Sequence, residues 1–191
     1  PQIFLAILVY FCHQITVYTV IFFLPGIIGK YGELTTLQIG LLTSLPWIAA
    51  AVGAMALPRF ATTPQRARMM LVCGLLTMAA GLGIASLAGP VLSLMGFCLS
   101  ALMFFVVQSI IFLYPASRLK GAALAGGLGF VNSCGLLGGF VGPSVMGMIE
   151  QTTGNAMNGM KIIAVILGLA ALAALRLRQG HERKVPKAEA H

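Results

Sequence analysis

Charge is scarce in this chain. Only 8% of its 191 residues are Asp, Glu, Lys or Arg; aspartate is absent, and the acids are Glu33, Glu150, Glu182 and Glu189. A soluble domain carries roughly 25% charged residues, so this chain cannot present a water-compatible surface. Hydrophobic residues make up 59% of it, and its mean hydropathy is +0.97. Lipid is the solvent such a composition needs, and the chain reads as an integral membrane protein.

The ingredients of catalysis and metal binding are also missing. There is no HExxH, no GxSxG and no pair of carboxylates at membrane depth, and His13, His181 and His191 are too scattered to share a metal. This argues against an intramembrane hydrolase and leaves no catalytic residue, metal or organic cofactor to assign. The four cysteines (Cys12, Cys73, Cys98 and Cys134) fall in apolar runs without a CxxC pair, which suits small buried thiols. An ionisable relay is missing as well. Proton-driven carriers usually hold one inside the bundle, and here only His13 lies at that depth. Any proton-carrying carboxylate is expected outside this stretch. Pro1 opens directly on an apolar run with no signal-peptide features, so a segment of a longer protein is expected.

What is present is a set of apolar runs. A spanning helix needs about 20 apolar residues. Six runs free of Asp, Glu, Lys and Arg qualify: Ile3–Leu24, Leu37–Leu57, Met69–Leu87, Val91–Leu113, Ala122–Ile149 and Ile162–Leu175. The last is short, but Met160 and a snorkelling Lys161 extend it. Pro25-Gly26, "PRFATTPQRAR", Gly89-Pro90, "YPASRLKG" and "EQTTGNAMNG" separate them. The expected fold is all-α and transmembrane, a six-helix bundle over residues 1–178 followed by a disordered tail over 179–191 held near anionic lipid.

Basic residues orient the bundle. Arg59, Arg66, Arg68, Arg118, Lys120, Arg176, Arg178, Arg183, Lys184 and Lys187 all fall on one side of an up-down pattern, against Lys30 and Lys161 on the other. Both termini are therefore expected in the cytoplasm. The net charge of +8 is split among short loops and a tail. It forms no basic face on a soluble domain, and a nucleic-acid partner is not indicated.

Polar residues inside the spans carry the functional signal, because an unpaired amide or imidazole in hydrocarbon costs several kcal/mol. In "IFLAILVYFCHQITVYTVIFFL", a step of about 100° per residue puts Tyr10, His13, Gln14 and Tyr18 on one arc. They either line a wet cavity or bond a neighbouring helix. In "LLTSLPWIAAAVGAM", Pro46 frees a carbonyl that Thr43 and Ser44 are placed to satisfy, and Trp47 either stacks on a ligand or packs. Gln108, in "ALMFFVVQSIIFL", needs a partner or water.

The fifth span is the most unusual. "NSCGLLGGFVGPSVMG" places Gly135, Gly138, Gly139 and Gly142 on a broad face, in two overlapping GxxxG patterns, with Asn132 at its edge and Pro143 interrupting the ladder beyond. Small residues let helix backbones approach closely in lipid. The glycines read as a contact seam able to slide, with Asn132 beside it as a lining residue or an interhelical bond.

These stretches resemble the C-terminal six helices of a major facilitator superfamily transporter, and more narrowly its anion:cation symporter family. "VYTVIFFLPGII" is similar to that family's seventh helix ending, "QIGLLTSLPWIAAAVGAM" to its eighth helix, and "NSCGLLGGFVGPSVMG" with Thr153-Gly154 to its eleventh. Leu136 stands where the family commonly has a second asparagine, and the basic loop Pro58–Arg68 lacks the family's aspartate. The resemblance implies an alternating-access carrier with its site near the bilayer midplane, between two six-helix halves. Tyr10, His13, Gln14, Trp47, Gln108 and Asn132 would line this half's side of it. The implied substrate is a small organic anion, with a sugar acid such as an aldonate ahead of an aromatic acid, carried with protons across a bacterial-type inner membrane. The carboxylate-binding Arg and the proton-carrying acid are then implied in the missing N-terminal half. A non-transporting membrane scaffold is the alternative outside this class.

Overall fold

The computed structural model describes residues 1–87 and 89–179. Seven α-helices and one 3-10 turn make up the described chain: α1 (Gln2–Gly29), α2 (Thr36–Ala56), the turn Pro58–Phe60, α3 (Pro64–Leu87), α4 (Pro90–Leu102), α5 (Phe104–Ala116), α6 (Ala122–Thr153) and α7 (Ala156–Ala174). With α4 and α5 taken together as Pro90–Ala116, six segments are long and apolar enough to cross a membrane. Residues 180–191, most of the expected tail, lie outside the described residues.

Helix ends follow local chemistry where the chain leaves the apolar runs. Thr35 caps α2 in a reciprocal box with Gln38. Asn155 caps α7 through the Met157 amide, and Gly154, in the left-handed region at φ 69°, ends α6. Pro25 does not end the first span as expected; α1 runs through it to Gly29. An interior proline removes one hydrogen bond, but with no water to satisfy an unwound backbone the helix is the better arrangement on both sides.

The fourth span departs furthest from expectation. It breaks at Met103, whose amide bonds back to Ser100 and Ala101, although residues 97–108 contain neither proline nor glycine. Two neighbours flank the break. Gly53 of α2 sits so close to the Leu102 carbonyl oxygen that an added Cβ would overlap it, and His13 of α1 bonds the Phe104 carbonyl.

Packing is built on glycine. α1 lies most extensively against α6, α3 against α7 and α4. All four glycines of the α6 face meet α1. A Cβ at Gly135 would strike the Tyr10 ring, and one at Gly138 the Phe11 carbonyl; at Gly139 it would lie 2.7 Å from Tyr18 Cδ2, and at Gly142 2.5 Å from the Ile15 oxygen. A second seam joins α3 to α4, where Gly81 and Gly96 each leave room for the other's carbonyl. Beside it, Tyr31 donates to buried Ser93 at 2.6 Å, and Ser93 donates to the Ala85 carbonyl at 2.8 Å.

The two ends of the bundle differ in charge. At one end, Arg118 donates to the Arg178 carbonyl at 2.7 Å, and Gln2 bonds both the Arg176 carbonyl and the Arg178 amide. At the other, Lys30 pairs with Glu150 at 2.8 Å. That pair is 64% and 32% exposed, so it ties α1 to α6 with no more than about 1 kcal/mol.

The glycine seams separate close contact from mere composition. Gly138→Ala is expected to destabilise the folded bundle by about 1–3 kcal/mol. Gly147→Ala, on the same helix with nothing within 4 Å of the added methyl, should be neutral or stabilising by up to about 1 kcal/mol. Denaturant melts of the two purified variants in one detergent check the contrast.

Candidate substrate-lining site

The α1–α6 seam fixes where Tyr10 goes. Its ring is fully buried, seated over Gly135 and edge-on to Phe112 at 5.1 Å. That seat delivers the hydroxyl to two other helices. Tyr10 OH donates to Asn132 Oδ1 of α6 at 3.1 Å and accepts from Gln108 Nε2 of α5 at 3.2 Å. Three residues that the sequence puts on three separate spans thus meet in one cluster.

The cluster is polar, neutral and only partly used up. After those two bonds Asn132 keeps its Nδ2 donors and Gln108 its Oε1 acceptor. Among the described residues, the buried side-chain atoms without a partner are Thr19 Oγ1, Ser100 Oγ and Tyr114 OH. Asn132 Nδ2 and Gln108 Oε1 have no partner among the described residues and are not buried, so they are open to a ligand. A donor and an acceptor side by side match a substrate hydroxyl, which offers both. About two to three turns farther along α1 and α6 lies a groove of about 450 Å³, lined by Tyr18, Phe22, Gly139, Phe140, Pro143 and Ser144.

The other expected lining residues fall elsewhere. His13 is fully buried, with Nε2 2.9 Å from the Phe104 oxygen and Nδ1 3.1 Å from Gln14 Oε1. It stands one layer behind the cluster, its ring stacked 5.9 Å from that of Tyr10. Gln14 is only 4% exposed and faces His13. Trp47 is half-buried, tilted against Phe104 at 6.1 Å. Thr43 and Ser44 donate to the carbonyls of Ile39 and Leu41; neither turns to Leu42, the residue whose carbonyl Pro46 frees.

Sequence reasoning missed Gly53, Gly81 and Gly96, and it missed the break at Met103. One signal for the α3 seam was available: Gly74 and Gly81 are seven residues apart and so share a helix face, and a Cβ at Gly74 would lie 2.7 Å from Val107 Cγ2. Nothing local marks the break. A larger groove of about 590 Å³ between α2, α3 and α4 is walled by residues such as Leu45, Ile84, Leu92, Met95 and Leu99. With almost no polar atom in its wall it has nothing with which to hold an anion.

Six segments long and apolar enough to cross a membrane, with an amide–phenol cluster between three of them, define a multi-pass integral membrane protein. Residues 2–191 match the Major Facilitator Superfamily, and the chain belongs to it. That family consists of transporters, not enzymes. The chain is 31% identical to the inner membrane transport protein RhmT of Escherichia coli K12, over 90% of this chain and 40% of RhmT. It is 33% identical to an Agrobacterium vitis protein named as a tartrate transporter, over 89% of this chain and 39% of that protein. The fold matches the crystal structure of the transporter FucP in the outward conformation with a TM-score of 0.76 at 19% identity, covering 94% of this chain and 43% of that one. The chain thus spans about 40% of the length of the curated relatives it matches.

The Tyr10 hydroxyl couples Asn132 to Gln108. Tyr10→Phe keeps the ring over Gly135 and removes both bonds, and should destabilise the bundle by about 1 kcal/mol. In a double-mutant cycle with Asn132→Ala the two losses should fall short of additivity by about 0.6 kcal/mol, measured by denaturant unfolding in detergent.

Proposed function

We propose that this chain is the C-terminal half of a secondary active transporter that imports a small organic anion, a sugar acid such as an aldonate, with protons by alternating access. The observation that carries the proposal is the cluster of Tyr10, Gln108 and Asn132, a neutral hydrogen-bonding surface with one free amide donor and one free amide acceptor. Such a surface suits the hydroxyls of a polyol chain and leaves its carboxylate to a cation elsewhere. The described spans contain no arginine, lysine or acid beside the cluster, so the cation and the proton-carrying acid belong to the N-terminal half that the relatives' length leaves room for. The relative named as a tartrate transporter supports an organic acid as cargo.

Orientation is part of the same reading. The end that holds Arg118 and Arg178 faces the cytoplasm, with both ends of this chain, and the Lys30–Glu150 pair faces outward. Tyr18, Phe22 and Phe140 in the adjoining groove favour a second cargo, an aromatic acid whose ring would lie on theirs.

The full-length protein in proteoliposomes should accumulate labelled gluconate when the outside is acidified, and Asn132→Ala should raise KM by about three- to tenfold. Uptake indifferent both to the proton gradient and to this substitution would overturn the reading. Competition by benzoate but not by gluconate would move it to the aromatic cargo.

A further inference from the structure

Sharp helix kinks have identifiable causes: proline, glycine–serine pairs, a π-bulge, or a side chain inserted into the hydrogen-bond ladder. The break between α4 and α5 has no proline or glycine within residues 97–108 and no π-turn among the described residues. What stands beside it is a side chain from another helix. His13 Nε2 lies 2.9 Å from the Phe104 carbonyl, one residue past the break. A carbonyl only accepts, so this nitrogen carries the proton and donates. A neutral ring then has a lone pair at Nδ1, which Gln14 satisfies by turning its amide nitrogen toward it, since the two ends of an amide are assigned from the bonds they make.

Tyr10 and His13 lie one turn apart on α1, and the residues they hold, Gln108 and Phe104, lie one turn apart on α5. The contact is a two-rung ladder. One rung ends at the open cluster; the other ends at the break. Phe104 also carries the ring against which Trp47 rests. We propose that His13 is a positioning residue: its Nε2–H captures the Phe104 carbonyl, fixes the start of α5 just past the break at Met103, and so sets Gln108 and Trp47 at the site without itself meeting the substrate. The inference rests on the transport reading only for its effect on uptake; the geometry it asserts can be tested without cargo.

Two neutral amides of different reach separate the clamp from simple packing. In His13→Gln the amide nitrogen extends to about the place of Nε2, whereas in His13→Asn it stops at about the place of Nδ1. Each is introduced into the full-length protein, and the emission of Trp47 is isolated by subtracting the spectrum of the same protein carrying Trp47→Phe. The expected result is a wild-type Trp47 component and a gluconate KM within about twofold of wild type for His13→Gln. For His13→Asn, a shifted Trp47 component is expected with KM raised about tenfold and the maximal rate much less affected, the scale of one lost positioning bond.

Equal behaviour of the two variants, both wild-type or both shifted, would overturn the clamp, because reach to Phe104 is the difference between them. A proton-gradient dependence lost in His13→Gln would also overturn it, by making the imidazole a proton carrier. Should the wild-type protein fail to take up gluconate, the transport reading fails, and the Trp47 contrast still decides the clamp.

Discussion

Close approach of helix backbones in lipid is the constraint from which the rest of this structure follows. Acyl chains are as apolar as leucine, so no hydrophobic drive holds α1 against α6; van der Waals contact and the few interhelical hydrogen bonds must do so. Gly138 and Gly142 bring the α6 backbone against the carbonyls of Phe11 and Ile15. At that spacing the Tyr10 ring has one place to lie, over Gly135, and its hydroxyl then reaches Asn132 and Gln108. The polar cluster is thus a by-product of how near two helices can come.

The broken fourth span shows the same reliance on contacts between helices. A continuous helix over Pro90–Ala116 would satisfy its own backbone, and in hydrocarbon that is normally decisive. Here neighbours engage the backbone on both sides of the break, Gly53 beside the Leu102 carbonyl and His13 on the Phe104 carbonyl. A buried imidazole and a buried carbonyl satisfy each other, and an irregular turn persists because it is enclosed by protein rather than lipid.

Coverage is uneven around the bundle. In their most apolar stretches α1 is 56% buried, whereas α2 is 17% and α6 22% buried. α6 nevertheless carries the glycine seam and Asn132, so its lack of cover is not that of a peripheral helix. A chain that spans about 40% of its relatives' length leaves room for another bundle, and the open donor and acceptor of the cluster lie on helices with area to spare.

By itself the sequence determined the solvent, the number of spans and the residue types at depth. Scarce charge and six long apolar runs leave no other architecture, and an amide or phenol in hydrocarbon has to find a partner wherever it falls. The spacing of Gly135, Gly138, Gly139 and Gly142 also made the α6 contact face legible, because helical periodicity is a local property. Only the tertiary structure decided which polar residues meet. Tyr10, His13 and Gln14 share an arc of α1, but the first reaches the open cluster and the other two turn to a carbonyl and to each other. The structure, and not the sequence pattern, also showed that α1 continues through Pro25 and that the fourth span breaks where its sequence offers no breaker. Bonds such as His13 to Phe104 and Tyr10 to Asn132 join residues dozens of positions apart, and helical periodicity, a local property, carries no record of them.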